Sequence, residues 1–193
     1  YFRSGNLWTL SSELTANDFG ASDYFGWSVD ISNKTIVVGA YNKNTGDGGA
    51  YVYYNATGNT WTRQATISAV GSGAYFGWSV SISGDTIAVS AKDTGASGNS
   101  GTVYIYRKSL ETWSLEDTLT ASDATANDEF GSSVKLIGNV LTVGAQGKTS
   151  DAGGVYIFIR EHTSKWVEKF NKIDDTGEAG ALGGSVTIGN GVI

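Results

Sequence analysis

Apolar and polar residues alternate along most of the chain with a period of two. The alternation falls in short runs broken by Gly, Ser, Asn and Asp, the mark of half-buried strands joined by turns. Residues 76–82 predict a first strand, 83–86 a tight hairpin turn, and 86–91 a second strand. A polar loop follows over 92–100, then a third strand over 101–106 and a fourth over 113–119. Elsewhere, 35–40 and 140–145 repeat the second strand, 50–53 and 155–158 the third, and 61–67 and 166–173 the fourth. No stretch has helical periodicity, and Gly interrupts any window long enough to test.

These runs belong to one repeated unit. Phe25-Gly26, Phe76-Gly77, Phe130-Gly131 and Leu182-Gly183 recur at spacings of 51, 54 and 52 residues, each followed by Ser-Val. Trp8, Trp61, Trp113 and Trp166 recur at 53, 52 and 53. Two independent rulers with one period predict a repeat architecture, and four antiparallel strands in about 50 residues predict propeller blades. The first strands carry Gly and Ser beside each bulky residue, as crowding near an axis requires; Tyr and Trp lie in the outer strands, where blades diverge. The competing arrangement is an elongated stack of sheets.

The expected fold is all-β, a β-propeller of four-stranded antiparallel blades, with three full repeats and two partial ones in a single domain or segment over 1–193. The partial blades cover about 1–22 and 180–193; the repeats cover about 23–73, 74–127 and 128–179. Residues 1–8 match the end of a third strand and the linker after it, whereas 183–193 match a first strand and the start of a second. Two readings follow: a four-bladed ring whose last blade joins both chain ends, or a segment of a longer array. A break inside a strand favours the segment, because an unpaired edge is adhesive.

At Phe-Gly, Ser-Val, Gly39-Ala40 and Gly144-Ala145, Tyr-Val-Tyr and Trp in fixed order, the chain resembles the FG-GAP repeat family, the blades of integrin-type β-propellers. The Pro of the family's Gly-Ala-Pro is missing, replaced by Tyr41, Lys92 and Gln146. Leu119-Thr-Ala-Ser-Asp123 is similar to the short bacterial-type repeat. The resemblance implies a secreted or surface-displayed protein acting in adhesion or recognition. It also implies rings of commonly seven blades, about 360 residues at this repeat length.

Composition narrows the chemistry. With 13 basic and 19 acidic residues the net charge is -6 and the pI near 4.7, which disfavours nucleic acid as a partner. Apolar runs are too short for a transmembrane helix. There is no Cys, which excludes disulfides, thiolate metal sites and a Cys nucleophile. The sole His, His162, falls on an expected outer turn with no Gly-x-Ser-x-Gly elbow. A propeller hydrolase or lyase is therefore the least favoured reading, and no catalytic residue is assigned.

The resemblance brings a calcium question with it, because integrin-type blades hold Ca²⁺ between their first and second strands. Here that loop has shrunk to 32–35, 83–86 and 137–140, too short to supply the six to eight oxygens that Ca²⁺ takes. No cofactor is expected from it. A second acidic locus before the Phe-Gly includes Asp18, Asp23, Asp123, Asp128 and Asp174. These are weak metal candidates, and Asx-turns are the favoured role for them. Asn33 and Asn55 begin Asn-x-Thr sequons, expected on exposed turns that could carry glycans.

Three corresponding loops differ in sequence on the repeated frame: 42–48, 92–100 and 146–152. Their Asn42, Asn44, Asp47, Asp93, Asn99, Lys148 and Asp151 are candidate contact residues, because variable loops on a rigid frame are where specificity sits. The expected function is a non-catalytic extracellular interaction or adhesion module for a protein or glycan partner. The alternative is a structural subunit or segment of a surface fibre or coat, self-assembling through its incomplete end blades.

Overall fold

The structure is a computed structural model that describes residues 1–18, 20–57, 60–68, 74–93, 98–148, 152–161, 164–173 and 182–189, apart from the side chains of Phe2 and of 170–173. Its strands form three four-stranded antiparallel sheets and one hairpin. The hairpin joins β1 (Phe2–Ser4) and β2 (Leu7–Thr9). Blade 1 is β3 (Ser28–Ser32), β4 (Thr35–Ala40), β5 (Gly49–Tyr54) and β6 (Thr62–Ile67). Blade 2 is β7 (Phe76–Ser83), β8 (Thr86–Ala91), β9 (Thr102–Ser109) and β10 (Thr112–Leu119). Blade 3 is β11 (Phe130–Ile137), β12 (Val140–Ala145), β13 (Gly154–Arg160) and β14 (Trp166–Ile173). In each blade the strands pair in chain order from first to fourth. These are propeller blades, and the inner turns are two residues long, closed by Ser32 opposite Thr35, Ser83 opposite Thr86 and Ile137 opposite Val140.

The cores lie between blades. Alternation sends Val37 and Val52 of blade 1 forward, onto Phe76, Val80, Ile82, Ile87 and Val89 of blade 2. Ala88, Val103 and Ile105 of blade 2 likewise meet Phe130, Val134, Leu136 and Leu141 of blade 3. Each repeat's Phe packs against two aromatics of its own third strand, at 5.4 and 6.3 Å for Phe25 with Tyr51 and Tyr53, and at 5.5 and 6.3 Å between Phe76 and Tyr104 and Tyr106. Phe130 does the same with Tyr156 and Phe158. Trp166 is buried, Trp61 and Trp113 are half-buried and pack on the cores, and Trp8 is exposed.

The Phe-Gly is also a clasp between blades. The Phe76 N–H donates to the Asp47 carbonyl at 3.3 Å, Phe130 to Ser100 at 2.9 Å, and Leu182 to Ala152 at 3.1 Å. Gly48 forms a parallel bridge with Phe76, and Gly153 one with Leu182. Gly77 shows why this position is glycine. Its φ is +90°, and a Cβ there would overlap the Gly49 carbonyl. Gly26 has the same backbone, φ +89°, but no neighbour within 4 Å. Without a clasp, residues 25–27 form a turn and a bend, and the first strand starts only at Ser28.

The inner strands face one another through polar side chains. Ser32 Oγ accepts the Gly84 N–H at 3.0 Å, and Asp30 Oδ2 accepts the Ile82 N–H at 3.0 Å and the Ser81 hydroxyl at 2.7 Å. One blade on, Ser79, Ser81 and Ser83 accept the N–H groups of Val134, Leu136 and Gly138 at 3.1, 3.1 and 2.9 Å. A sheet's first strand would otherwise leave its donors unpaired, so short polar side chains at every second position complete the edge. Lys135 Nζ reaches back to Asp30 at 3.0 Å, tying blade 3 to blade 1 past Ser81.

Candidate functional site

The three variable loops are partly structural. Asp47 accepts the Phe76 N–H and Gly46 the Tyr75 N–H, while Gly98 and Asn99 accept those of Asn127 and Glu129. The half of each loop nearest the third strand therefore holds the next blade. Asn44 and Asn99 are exposed at left-handed backbone, with φ of 52° and 53°. Asn42 is half-buried, and its Nδ2 donates to the Ser22 carbonyl at 2.8 Å. Asp47 and Asp93 are half-buried, Asp93 within 3.6 Å of Lys92. Asp151 lies outside the described residues, as do His162 and Asp174.

Lys148 corrects the expectation of a surface contact, being 6% exposed. Its ammonium donates to Asp128 Oδ2 at 2.7 Å and to the Asp123 carbonyl at 2.6 Å, with Asp123 Oδ1 at 3.2 Å. Tyr156 completes the group by donating to Asp123 at 2.7 Å. Burial pushes the Asp123 carboxyl up, but Tyr156 and Lys148 outweigh it and hold the group below its usual range. Burial and the adjacent carboxylate both push the Tyr156 phenol up.

Blade 1 builds the same group from equivalent positions. Lys43 Nζ lies 2.6 Å from Asp18 and 2.5 Å from the Tyr51 hydroxyl, and Arg63 pairs with Asp18 at 2.7 Å. The bond from Lys43 is the main cause that lowers the Asp18 carboxyl. Burial would lower the Lys43 ammonium, yet Asp18 and Tyr51 together hold it above its usual value. Of the weak metal candidates, Asp18, Asp123 and Asp128 thus face a fixed ammonium. Among the described residues no three His, Cys, Asp or Glu side chains cluster as a metal site. Asp23 and Asp128 bind backbone as turn residues, though the donors, Gly20 and Thr125 at 2.7 Å each, lie three residues earlier rather than two residues on as in an Asx-turn. Sequence reasoning missed Lys43; the shared offset of Lys43, Asp18 and Tyr51 from Lys148, Asp123 and Tyr156 was the available signal.

The two sequons part company. Asn33 is exposed on the β3–β4 turn, with φ 54°. Asn55 is only 7% exposed, and its N–H donates to the Lys34 carbonyl at 2.9 Å. That bond continues the β4–β5 ladder beyond Thr35 and Tyr54, so the expectation of an exposed acceptor fails at Asn55.

One surface was not anticipated. Tyr24, Trp27, Tyr41, Tyr75 and Trp78 crowd together where blades 1 and 2 begin their inner strands. Ring centroids are 5.1 Å apart for Tyr24–Tyr41, 4.9 Å for Trp27–Tyr41, 5.1 Å for Trp27–Trp78, 4.9 Å for Tyr41–Trp78 and 5.6 Å for Tyr41–Tyr75. Burial, with Tyr24 and Tyr75 beside it, raises the Tyr41 phenol. A cavity of about 470 Å³ adjoins the cluster, walled in part by Asp23, Tyr24 and Phe25.

The FG-GAP repeat model matches residues 8–53, 61–106 and 113–158. The second and third matches begin at Trp61 and Trp113, at the start of one blade's fourth strand, and end in the next blade's third, while the first runs from Trp8 of the β1–β2 hairpin into β5. The repeat is thus offset by one strand from the blade, and the second and third units each covalently join two blades. No curated protein matches the chain. Among solved structures, Saccharomyces cerevisiae Sqt1 is similar with a TM-score of 0.52 at 11% identity. That match covers 85% of this chain and 43% of the Sqt1 chain, and at such identity it speaks for fold alone. With three consecutive matches over most of its length, this chain belongs to the FG-GAP repeat family.

Proposed function

We propose that the protein is a non-catalytic interaction module displayed outside the cell, presenting one end of its blades to a protein or glycan partner. The observation that carries this reading is the division of labour within the 42–48 and 92–100 loops. Gly46, Asp47, Gly98 and Asn99 hold the next blade through their carbonyls, while the Asn44 and Asn99 residues stand exposed. A fixed backbone with exposed side chains is what a recognition surface needs, since little ordering entropy remains to be lost on binding. FG-GAP repeats are generally non-enzymatic interaction modules, which supports the same reading. The test is to immobilise the protein and measure binding to a panel of purified extracellular proteins and glycans, alone and with Asn44→Ala and Asn99→Ala. Saturable binding weakened by either change supports it; no saturable binding to any panel member overturns it.

A second reading, a subunit of a surface fibre or coat, draws on the rear face of blade 1. Val29 and Ile31 are 63% and 57% exposed there, while their equivalents Val80 and Ile82 are 6% and 3% exposed under blade 1. A neighbouring chain's blade would fit this face as blade 1 fits blade 2. Light scattering decides: concentration-dependent growth favours the fibre, and a stable monomer at high concentration defeats it.

A further inference from the structure

The five aromatics at the junction of blades 1 and 2 are not required by the frame. Blade 3 places Glu129 where Tyr24 and Tyr75 stand, Ser132 where Trp27 and Trp78 stand, and Gln146 where Tyr41 and Lys92 stand. The backbone is the same in all three: Tyr24, Tyr75 and Glu129 have φ of 55°, 49° and 53°. Blade 3 folds this segment with the Ser132 hydroxyl donating to the Glu129 carbonyl at 2.6 Å. The aromatic side chains are an addition that folding does not demand. Tyr24 and Trp27 are 51% and 49% exposed. Tyr41, Tyr75 and Trp78 are half-buried, and Trp78 still reaches solvent with a blade on each side. A contiguous aromatic patch that reaches solvent marks a binding site.

The rim of the patch indicates the ligand. On one side Lys92 Nζ sits 4.3 Å above the Trp78 ring and within 3.3 Å of Glu129 and 3.6 Å of Asp93. On the other, the Asn42 N–H donates to the Asp23 carbonyl at 3.3 Å, beside the cavity that Tyr24 lines. The aromatic faces are thus bordered by the Glu129 and Asp93 carboxylates and the Lys92 ammonium on one side, and by backbone amide and carbonyl groups on the other. We propose that this platform binds an uncharged saccharide. The axial C–H face of a sugar ring is apolar and weakly electropositive, which suits the negative face of Trp and Tyr. Its hydroxyls donate to carboxylates and accept from amide and ammonium groups. Tyr and Trp also bring large contact area at small conformational cost. The excess of carboxylates at the rim, on a chain of net charge -6, disfavours sialylated, sulfated or phosphate-bearing ligands. The Trp78 face already holds the chain's own cation, which disfavours a ligand ammonium.

The proposal rests on the interaction-module reading and names its site and ligand class. Blade 3 supplies the test variants, since Trp27→Ser, Trp78→Ser and Tyr41→Gln each install a residue that the frame already accepts. An array of neutral hexose and N-acetylhexosamine oligosaccharides is probed beside sialylated and sulfated ones, and binding of hits is followed by Trp fluorescence. Neutral saccharides are expected to bind, with at least a tenfold loss for Trp27→Ser and Trp78→Ser and an unchanged urea midpoint. Leu110→Ala, at a fully solvated outer turn, should leave binding intact. No binding to any neutral saccharide, or binding to charged ones alone, overturns the proposal. So does saccharide binding that survives both Trp changes and is lost with Asn44→Ala or Asn99→Ala; that outcome would leave the interaction-module reading standing.

Discussion

The rear faces of blades 1 and 2 carry the same residues and meet different surroundings. Gly26, Val29 and Ile31 stand in water where Gly77, Val80 and Ile82 stand under a neighbouring blade. Side-chain identity is therefore not what makes these positions structural; the adjoining blade is. In a repeat frame, stability belongs to the junction between units as much as to the unit. The same substitution should cost less in blade 1 than in blade 2.

The largest contrast is expected at the clasp. Gly77→Ala combines positive φ with overlap on the Gly49 carbonyl, and a backbone atom cannot turn aside as a side chain can. A loss of about 4 kcal/mol or more is expected, in the range reserved for strain at special backbone positions. Gly26→Ala meets open space and should cost about 1–2 kcal/mol from its backbone alone. Urea unfolding midpoints compare the two directly; equal losses would mean that the clasp contributes nothing beyond the glycine conformation.

The buried lysines offer the next contrast. Lys148→Ala would leave Asp128, 2% exposed at its side chain, as a carboxylate without its cation, a change that typically costs about 3–5 kcal/mol. Lys43→Ala should cost less, about 1–2 kcal/mol, because Asp18 is 47% exposed and keeps Arg63. If the two losses match in urea melts, solvent access to the carboxylate is not what separates them.

Core and surface apolar positions come third. Ile82→Ala should cost about 2–4 kcal/mol, within the usual range for truncating a buried aliphatic side chain. Ile31→Ala should change stability by no more than about 0.5 kcal/mol. A large loss at Ile31 in thermal melts, growing with protein concentration, would show that this face is covered in solution.

Much of the frame was legible in the sequence, and the reason is local. Strands β4, β8 and β12 coincide with the expected 35–40, 86–91 and 140–145, because alternation and two-residue turns are encoded by neighbours in the chain. The third strand of blade 2 runs on to Ser109 instead of ending at Tyr106, since it forms an outer hairpin with β10 through another two-residue turn. What escaped notice depends on residues 20 to 30 positions apart. The Phe-Gly was visible as a marker, yet its grip on the preceding blade's loop was not. Lys148 looked like a loop residue because its carboxylates lie 20 and 25 positions away. The aromatic platform escaped for another reason. It lies outside what the repeats share, since Trp27, Trp78 and Ser132 differ at a position that the frame leaves free.

The smallest expected effect is acid sensitivity at the inner strands. Burial pushes the Asp30 carboxyl up, but hydrogen bonds from Ser81, the Ile82 N–H and Lys135 outweigh it and leave the group below its usual value of 3.8. A carboxyl lowered on folding contributes stability that is complete above its unfolded value and is lost as pH falls through the folded one. Stability from this group should thus be flat at neutral pH and fall below about pH 4. Asp30→Asn keeps a hydrogen-bonding oxygen but not the charge, so its stability should depend less on pH in that window. Asp123→Asn should act likewise in blade 3, where Lys148 and Tyr156 lower the carboxyl. Urea midpoints measured between pH 3 and 7 separate the two sites. If neither substitution flattens the fall, the inner-strand carboxylate serves as a hydrogen-bond acceptor alone, and Lys135 is an incidental neighbour rather than a tie between blades 1 and 3.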